Sequence, residues 1–120
     1  MENAAGQTSG TWQRVASLAD LEPEYPKRVK VDNRELALYV IGGAVFATED
    51  ICSHAYSRLS DGYVEGFQVF CPLHGGSFDV RTGAPMTPPC MEPIAVFECR
   101  VEGDSVLVRM GTDNLTSGSA

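Results

Sequence analysis

Two pairs of a cysteine with a histidine stand out in the stretch CSHAYSRLSDGYVEGFQVFCPLHGGSFD. Cys52 and His54 are separated by one residue, and Cys71 and His74 are separated by two. The chain has 2 histidines and 4 cysteines, and each of the histidines stands close to a cysteine. Each pair offers one soft thiolate and one borderline imidazole, which are ligands for zinc or iron. The pairs can therefore form two short loops that point at each other and present these side chains together.

Three interpretations of these pairs compete. In the first, the cysteines are reduced core residues and the histidines are incidental, although chance rarely places both histidines of a chain in matched positions. In the second, the four side chains bind a structural zinc ion, since two cysteines with two histidines form a normal zinc ligand set. Zinc sites usually pair like residues, whereas each pair here is mixed. In the third, the pairs bind a Rieske [2Fe–2S] centre, where two histidines replace two cysteines on one iron.

The stretch resembles the Rieske family, which has Cys-x-His, a spacer of about this length, and then Cys-Pro-Leu-His-Gly. The resemblance covers about residues 11–110, and the two ligand loops are its specific part. It implies that Cys52 and Cys71 hold the inner iron of one [2Fe–2S] cluster. It likewise implies that His54 and His74 hold the outer iron and reach the surface. Because neutral imidazoles replace two thiolates, the centre accepts an electron more easily than an all-cysteine cluster.

The surroundings of the second pair differ from those in Rieske proteins of respiratory and photosynthetic cytochrome complexes. Those proteins carry an extra cysteine in each loop, joined as a disulfide, where this chain has Ser57 and Leu73. They also carry a serine and a tyrosine whose hydroxyls bond to cluster sulfur, where this chain has Gly76 and Phe78. Fewer hydroxyl donors give less stabilisation of the reduced cluster. We therefore expect a low-potential centre, near about −150 mV.

Other residues near the pairs have simpler predicted roles. Gly75 and Gly76 follow the second histidine; as glycines they permit positive φ and a close approach of backbone amides to the cluster sulfurs, or form an ordinary turn. The segment APMTPP resembles the proline-containing loop that covers the cluster in the family. Cys90 and Cys99 have no histidine partner, and Cys99 is expected in the core. The acidic residues are expected on a solvated face.

The elements that must position the ligand loops are short strands. The segments TWQRVASL, RVKV, ELALYVI, AVFAT, AVFECRV and SVLVRM are apolar or alternating, and Asp-Asn or Gly-Gly pairs mark turns. In AVFECRV, the residues Ala95, Phe97, Cys99 and Val101 are predicted to share one face of a single half-buried strand. No long stretch has a helical period. The pattern predicts an all-β, antiparallel sandwich or barrel.

The domain organisation follows from the same pattern. We predict a single domain over residues 11–110, of the Rieske type by resemblance, with a loop-rich cluster-binding subdomain at about residues 50–90. The polar ends, residues 1–10 and 111–120, are predicted to be disordered.

Charge and hydropathy exclude several classes of partner. The 120 residues carry a net charge of −7, which disfavours nucleic-acid binding because phosphates require a basic surface. No apolar run approaches the roughly 20 residues that cross a bilayer. The first residues, MENAAGQTSGTW, have no secretory-signal pattern. We therefore expect a soluble, cytoplasmic protein without a nucleic-acid or membrane partner.

Within the Rieske family, LSDGYVEG and EPIAVFECRVEGDSVLV resemble the small ferredoxins of bacterial multicomponent aromatic-ring dioxygenases. The resemblance implies an electron carrier rather than an enzyme, with a flavin-dependent reductase that uses NAD(P)H and a terminal Rieske oxygenase as partners. The alternative is a small electron-transfer subunit of another reductase, such as the nitrite reductase type. A terminal oxygenase subunit is rejected, because its mononuclear iron would require histidines beyond those of the cluster.

Overall fold

The computed structural model describes residues 11–51, 57–72, 75–88 and 92–110. Within these ranges the chain forms antiparallel strands and two short 3-10 turns, at Leu18–Asp20 and Leu59–Asp61. The strands are β1 (Thr11–Ser17), β2 (Lys27–Val31), β3 (Arg34–Ile41), β4 (Ala44–Glu49), β5 (Tyr63–Glu65), β6 (Gln68–Phe70), β7 (Ser77–Asp79), β8 (Pro85–Thr87), β9 (Val96–Phe97), β10 (Cys99–Glu102) and β11 (Ser105–Met110). The predicted all-β class is confirmed. Among the described residues, no helix has the length and apolar character needed to cross a membrane.

The strands form three sheets, in the orders β1-β11-β10, β2-β3-β4-β9 and β5-β6-β7-β8. The third sheet lies within the region of the predicted ligands, and each of its strands has only three residues. The region predicted as loop-rich therefore contains a sheet of its own. Strands this short give little periodicity to read in a sequence.

Two hydrophobic cores share β3. Leu36 and Leu38 point into the core between the first two sheets, with Val106 and Val108 of β11. Ala37 and Tyr39 point into the other core, which includes Cys71. Successive side chains of a strand point to opposite faces, so a strand buried on both faces must be apolar throughout. This explains why ELALYVI is almost continuously apolar.

The β2–β3 connection follows the sequence signal closely. Asp32 and Asn33 both have positive φ, at 51° and 68°. Two consecutive left-handed residues form a two-residue hairpin loop of the type that matches strand twist, and Asp and Asn tolerate that conformation. The turn predicted at Asp-Asn is confirmed, and it joins β2 and β3 as a hairpin.

The prediction of one continuous strand at AVFECRV is wrong. The chain breaks at Glu98, so that β9 pairs with β4 in the second sheet while β10 pairs with β11 in the first. Because the chain changes sheets there, the alternation does not keep one face buried. Ala95 is exposed and Val101 is 38% exposed. Cys99 does pack against the core between the first two sheets, as predicted.

Candidate metal centre

Among the four predicted ligands, Cys71 lies within the described residues. Cys52, His54 and His74 lie outside them, as does Cys90. The ligand assignment therefore stays a prediction, and the described parts of the site are Cys71 and the residues that flank both ligand loops.

Cys71 follows β6 directly and is buried, with 2% of its surface exposed. It belongs to the same core as Val69, Phe78 and Leu59. A thiol that water reaches so poorly is suited to an iron–sulfur cluster, whose potential depends on solvent exposure. β6 positions the thiol, because this strand pairs with both β5 and β7 and Cys71 is the residue that follows it.

The second ligand loop, defined as residues 71–76, is closed by two backbone hydrogen bonds. The Cys71 N–H donates to the Gly76 carbonyl over 2.7 Å, and the Gly75 N–H donates to the Cys71 carbonyl over 3.1 Å. Gly75 has a φ of 77°, which favours glycine. Gly75 thus uses the positive φ that glycine permits, whereas Gly76 is buried and does not adopt positive φ.

The first ligand loop, defined as residues 51–58, is closed at its base by backbone pairing. Ile51 and Arg58 form an isolated antiparallel bridge. Next to this bridge, the Leu59 N–H donates to the Asp50 carbonyl over 2.6 Å. Leu59 is fully buried in the core that contains Cys71. The bases of both ligand loops therefore lie on one core, which is what a centre shared by the two loops requires.

Asp50 was missed by sequence reasoning, which placed the acidic residues on a solvated face. Its side chain is fully buried. It accepts hydrogen bonds from the Ser60 N–H at 2.7 Å, the Ser60 hydroxyl at 2.8 Å and Arg28 Nε at 3.1 Å. The Arg58 guanidinium lies 3.9 Å away and also pairs with Glu35. The sequence shows an acidic residue two positions before Cys52, but not its burial, because its partners Arg28 and Ser60 come from other segments.

Asp79 is a second buried acidic residue that the expectation of a solvated face missed. It is 7% exposed and ends β7. Its carboxylate accepts from the Arg81 backbone N–H at 2.8 Å, from Arg81 Nε at 3.0 Å and from Arg81 Nη2 at 2.8 Å. The hydrogen bonds from the Arg81 side chain are the main reason that the pKa of Asp79 is lowered. The ion pair fixes the turn that leads towards β8.

The hydroxyl of Ser77 links strands of the third sheet. Ser77 is fully buried, and its Oγ lies 2.7 Å from Gln68 Oε1 and 2.8 Å from Thr87 Oγ1. This network links β6, β7 and β8. The neighbouring Phe78 is fully buried in the core. Phe78 and Gly76 have no hydroxyl, and the Ser77 hydroxyl is engaged by other strands, in line with the low potential expected from the sequence.

β8 contains the first part of the segment predicted to cover the cluster. It pairs with β7 through Ser77 with Thr87 and Phe78 with Pro85. β8 therefore runs beside the strand that follows the second ligand loop. Pro89 lies outside the described residues, and the covering role stays a prediction.

Cys99 is distinct from Cys71 in its chemistry. Burial raises the pKa of the Cys99 thiol to about 12, so that the thiol stays protonated at neutral pH and is a poor nucleophile. Its Sγ donates weakly to the Phe97 carbonyl, 3.8 Å away. Cys99 is a packing residue of the core between the first two sheets, as its position in the sequence predicted.

The described residues fit the chemistry of the predicted centre. Cys71 supplies a shielded sulfur, and the closed turn at Gly75 keeps both ends of its loop together. The donor set in the sequence, two thiols with two imidazoles, is that of a Rieske centre and also of a zinc site. The local chemistry alone thus leaves two classes of site.

Comparison with known families separates these classes. The Rieske [2Fe-2S] domain model matches residues 11–98, and the chain belongs to this family. The group that it binds is a Rieske [2Fe–2S] cluster, and the zinc interpretation is wrong.

Curated relatives are similar along nearly their whole length. Ferredoxin CarAc of Metapseudomonas resinovorans is 41% identical over 98 residues, which are 81% of this chain and 92% of that protein. The anthranilate 1,2-dioxygenase ferredoxin subunit of Burkholderia cepacia is 38% identical over 104 residues, 87% of this chain and 96% of the relative.

Solved structures agree with these relatives. A structure described as the complex of reduced oxygenase and oxidized ferredoxin in carbazole 1,9a-dioxygenase matches with a TM-score of 0.76 and 40% identity, over 82% of this chain and 92% of the other. A protein assigned as the small subunit of an NADPH nitrite reductase matches with a TM-score of 0.74 but only 22% identity, over 83% and 99% of the two chains. The latter likeness shows the fold alone.

Proposed function

We propose that this protein carries single electrons from an NAD(P)H-dependent flavin reductase to the terminal Rieske oxygenase of an aromatic-ring dioxygenase system. The observation that carries the proposal is the similarity to dioxygenase ferredoxins over 92–96% of their length. A chain that matches a carrier along nearly the carrier's whole length is expected to perform the carrier's role. The protein is accordingly an electron-transfer component and not itself a catalytic enzyme.

The ligands in this proposal are Cys52, His54, Cys71 and His74. When bound, the cluster supplies a one-electron couple of low potential. The contribution of the described residues is to hold and shield it. The core around Cys71 excludes water from its sulfur, and backbone pairing at the bases of both ligand loops holds the ends of each loop together.

The partners are proposed by analogy with the relatives. The oxygenase partner is supported by the solved complex of a similar ferredoxin with its oxygenase. The flavin reductase follows from the need of such a carrier for an electron donor that oxidises NAD(P)H. We propose a cytoplasmic location, because NAD(P)H is regenerated there. The net charge of −7 favours basic docking surfaces on both partners.

Reconstitution tests the function directly. Purified protein is combined with a flavin reductase, NADH and a terminal dioxygenase with its aromatic substrate, and the dihydroxylated product is measured. We expect product formation only when this protein is present, and a loss of product when Cys71→Ser replaces the native chain. Full turnover without the protein, or equal turnover with Cys71→Ser, would contradict the proposed role.

The low potential is a separate part of the proposal. Gly76 and Phe78 supply no hydroxyl to the cluster, and the Ser77 hydroxyl is bonded to Gln68 and Thr87. A redox titration is expected to give a midpoint near about −150 mV. A midpoint above zero would show that other donors stabilise the reduced cluster.

The alternative role, as the small subunit of a nitrite reductase, is not favoured by a specific observation. The likeness to such a protein is 22% identical and reflects the shared fold. The dioxygenase ferredoxins are 38% and 41% identical over a comparable share of the chain.

A further inference from the structure

We propose that Asp50 is a positioning residue that fixes the first ligand loop in the geometry required by the cluster. The inference rests on the proposed ligation by Cys52 and His54, which stand two and four residues after Asp50. The proposal gives a role to a carboxylate whose burial is explained neither by the ligand motif nor by the hydrophobic core.

The carboxylate of Asp50 spans the base of the first ligand loop from one end to the other. Asp50 stands just before the loop, and Ser60 stands just after it. The carboxylate binds Ser60 through both its N–H, at 2.7 Å, and its hydroxyl, at 2.8 Å. Two acceptor contacts to one residue fix the orientation of the segment that leaves the loop as well as its distance. The backbone bridge alone would fix only the distance.

The backbone of Asp50 is itself anchored to the central strand of the fold. Its N–H donates to the Glu35 carbonyl of β3 over 3.0 Å, and its carbonyl accepts from Leu59 over 2.6 Å. β3 contributes to both hydrophobic cores. The segment that enters the loop is therefore hydrogen-bonded to β3. Through the carboxylate of Asp50, the segment that leaves the loop at Ser60 is linked to the same strand.

Charge compensation explains how a fully buried carboxylate persists at this place. Arg28 Nε lies 3.1 Å from Asp50 and also donates to the Ser60 hydroxyl oxygen over 3.0 Å. Arg58, at the end of the loop, lies 3.9 Å away. Burying an ion is costly unless it is paired and hydrogen-bonded, and such a group often adds geometric specificity rather than net stability. We call the hydrogen-bonded arrangement of Asp50 with Ser60 and Arg28 the loop clamp.

The size of the expected effect follows from metal sites in general. Residues that orient the ligands of a metal, without touching it, typically change metal affinity by roughly 10–100-fold when they are mutated. We therefore expect Asp50→Ala to speed the loss of the cluster to a chelator by about 10–100-fold. We also expect a changed EPR line shape in the reduced cluster, because a shifted ligand alters the electronic structure of the iron.

The experiment uses the intact, cluster-loaded protein and four variants. Iron release to a coloured ferrous chelator is followed over time, and EPR spectra of the reduced proteins are compared. Asp50→Asn keeps an oxygen acceptor for the Ser60 N–H but removes the charge, so it should restore a substantial part of the native retention. Ser60→Ala removes one of the two donors and should speed the loss by about fivefold, the effect of one hydrogen bond.

The matched control is Asp61→Asn. Asp61 binds the same arginine, through Arg28 Nη2 at 3.2 Å, but its side chain is 62% exposed and makes no contact with Asp50 or Ser60 among those described. Its removal should leave release rate and EPR line shape as in the native protein. Loss of the cluster in Asp61→Asn as fast as in Asp50→Ala would overturn the proposal, because any weakening near Arg28 would then have the same effect.

The other outcomes are also decisive. Asp50→Ala with native release rate and native line shape would overturn the role of Asp50. If Asp50→Ala does not fold, Ser60→Ala decides the question, and native behaviour of that variant would overturn the loop clamp. A native protein that folds but never retains iron would instead contradict the proposed function itself, so the two failures are distinguishable.

Discussion

Cys71 and Cys99 show how the surroundings of a residue decide its chemistry. Cys71 stands at the end of β6, in the core on which both ligand loops rest. Cys99 is packed on the other core, and its pKa is raised to about 12 by burial. The sequence separated the two correctly, because only Cys71 has a histidine nearby. The burial of Asp50 was not predictable, since the residues around it come from β2 and from the segment after the ligand loop.

A pair of serine substitutions tests this contrast. We expect the iron content of Cys71→Ser to fall below about one tenth of the native value, because a hydroxyl is a much poorer ligand for iron than a thiolate. Cys99→Ser should keep a full cluster and change the free energy of unfolding by about 1 kcal/mol or less. Iron and sulfide assays with visible spectra measure the first effect, and thermal unfolding measures the second. Equal iron contents in the two variants would show that Cys71 is not a ligand.

At the scale of the elements, the turn between β7 and β8 contacts the segment that leads into β9, and so links the third sheet to the second. The Gly83 carbonyl accepts from the Ile94 N–H over 3.0 Å, and a Cβ at Gly83 would stand 2.1 Å from the Ile94 carbonyl oxygen. The φ of Gly83 is 81°. The sequence showed a glycine in a turn, but it could not show which backbone approaches it.

A matched pair of alanine substitutions separates the two demands on this glycine. Gly43 also has positive φ, 86°, but among the described residues nothing beyond its chain neighbours lies within 4 Å of where a Cβ would stand. Gly43→Ala should destabilise the fold by about 1–2 kcal/mol, the cost of a left-handed alanine. Gly83→Ala should cost about 1–3 kcal/mol more, because a backbone must also move. Chemical denaturation measures both, and equal losses would contradict the close approach to Ile94.

The break at Glu98 and the small sheet mark the limit of sequence reading at this scale. The longer strands β1, β3 and β11 were predicted from their apolar pattern. The three-residue strands β5 to β8 were not, because their pairing depends on contacts across turns rather than on periodicity. Glu98 carries no sequence signal for the change of sheet, since the apolar pattern of AVFECRV continues through it.

At the scale of the whole molecule, the two cores are expected to depend differently on the cluster. The core with Cys71, Val69 and Phe78 lies under the ligand loops, whereas the core with Val106 and Val108 does not. Metal binding stabilises the structure that forms its site, and local stability varies across a fold. The sequence predicted one domain, and its two cores became visible only in the fold.

Removal of the cluster should therefore loosen one part of the molecule more than the other. After chelation of iron, we expect amide hydrogen exchange to accelerate by at least about tenfold at β6 and β7, and to change little at β11. Exchange followed by mass spectrometry on the intact and the cluster-free protein measures this. Uniform acceleration throughout the chain would show that the fold depends on the cluster as one unit.

The most direct test of the central claim is the spectroscopy of the reduced, cluster-loaded protein together with its iron and sulfide content. The account predicts two irons and two sulfides per chain, with magnetic coupling of the cluster to nitrogen from two histidine ligands, His54 and His74. Replacement of either histidine should abolish the coupling from that ligand. A folded, colourless protein without iron, or a cluster without coupled histidine nitrogen, would contradict the account.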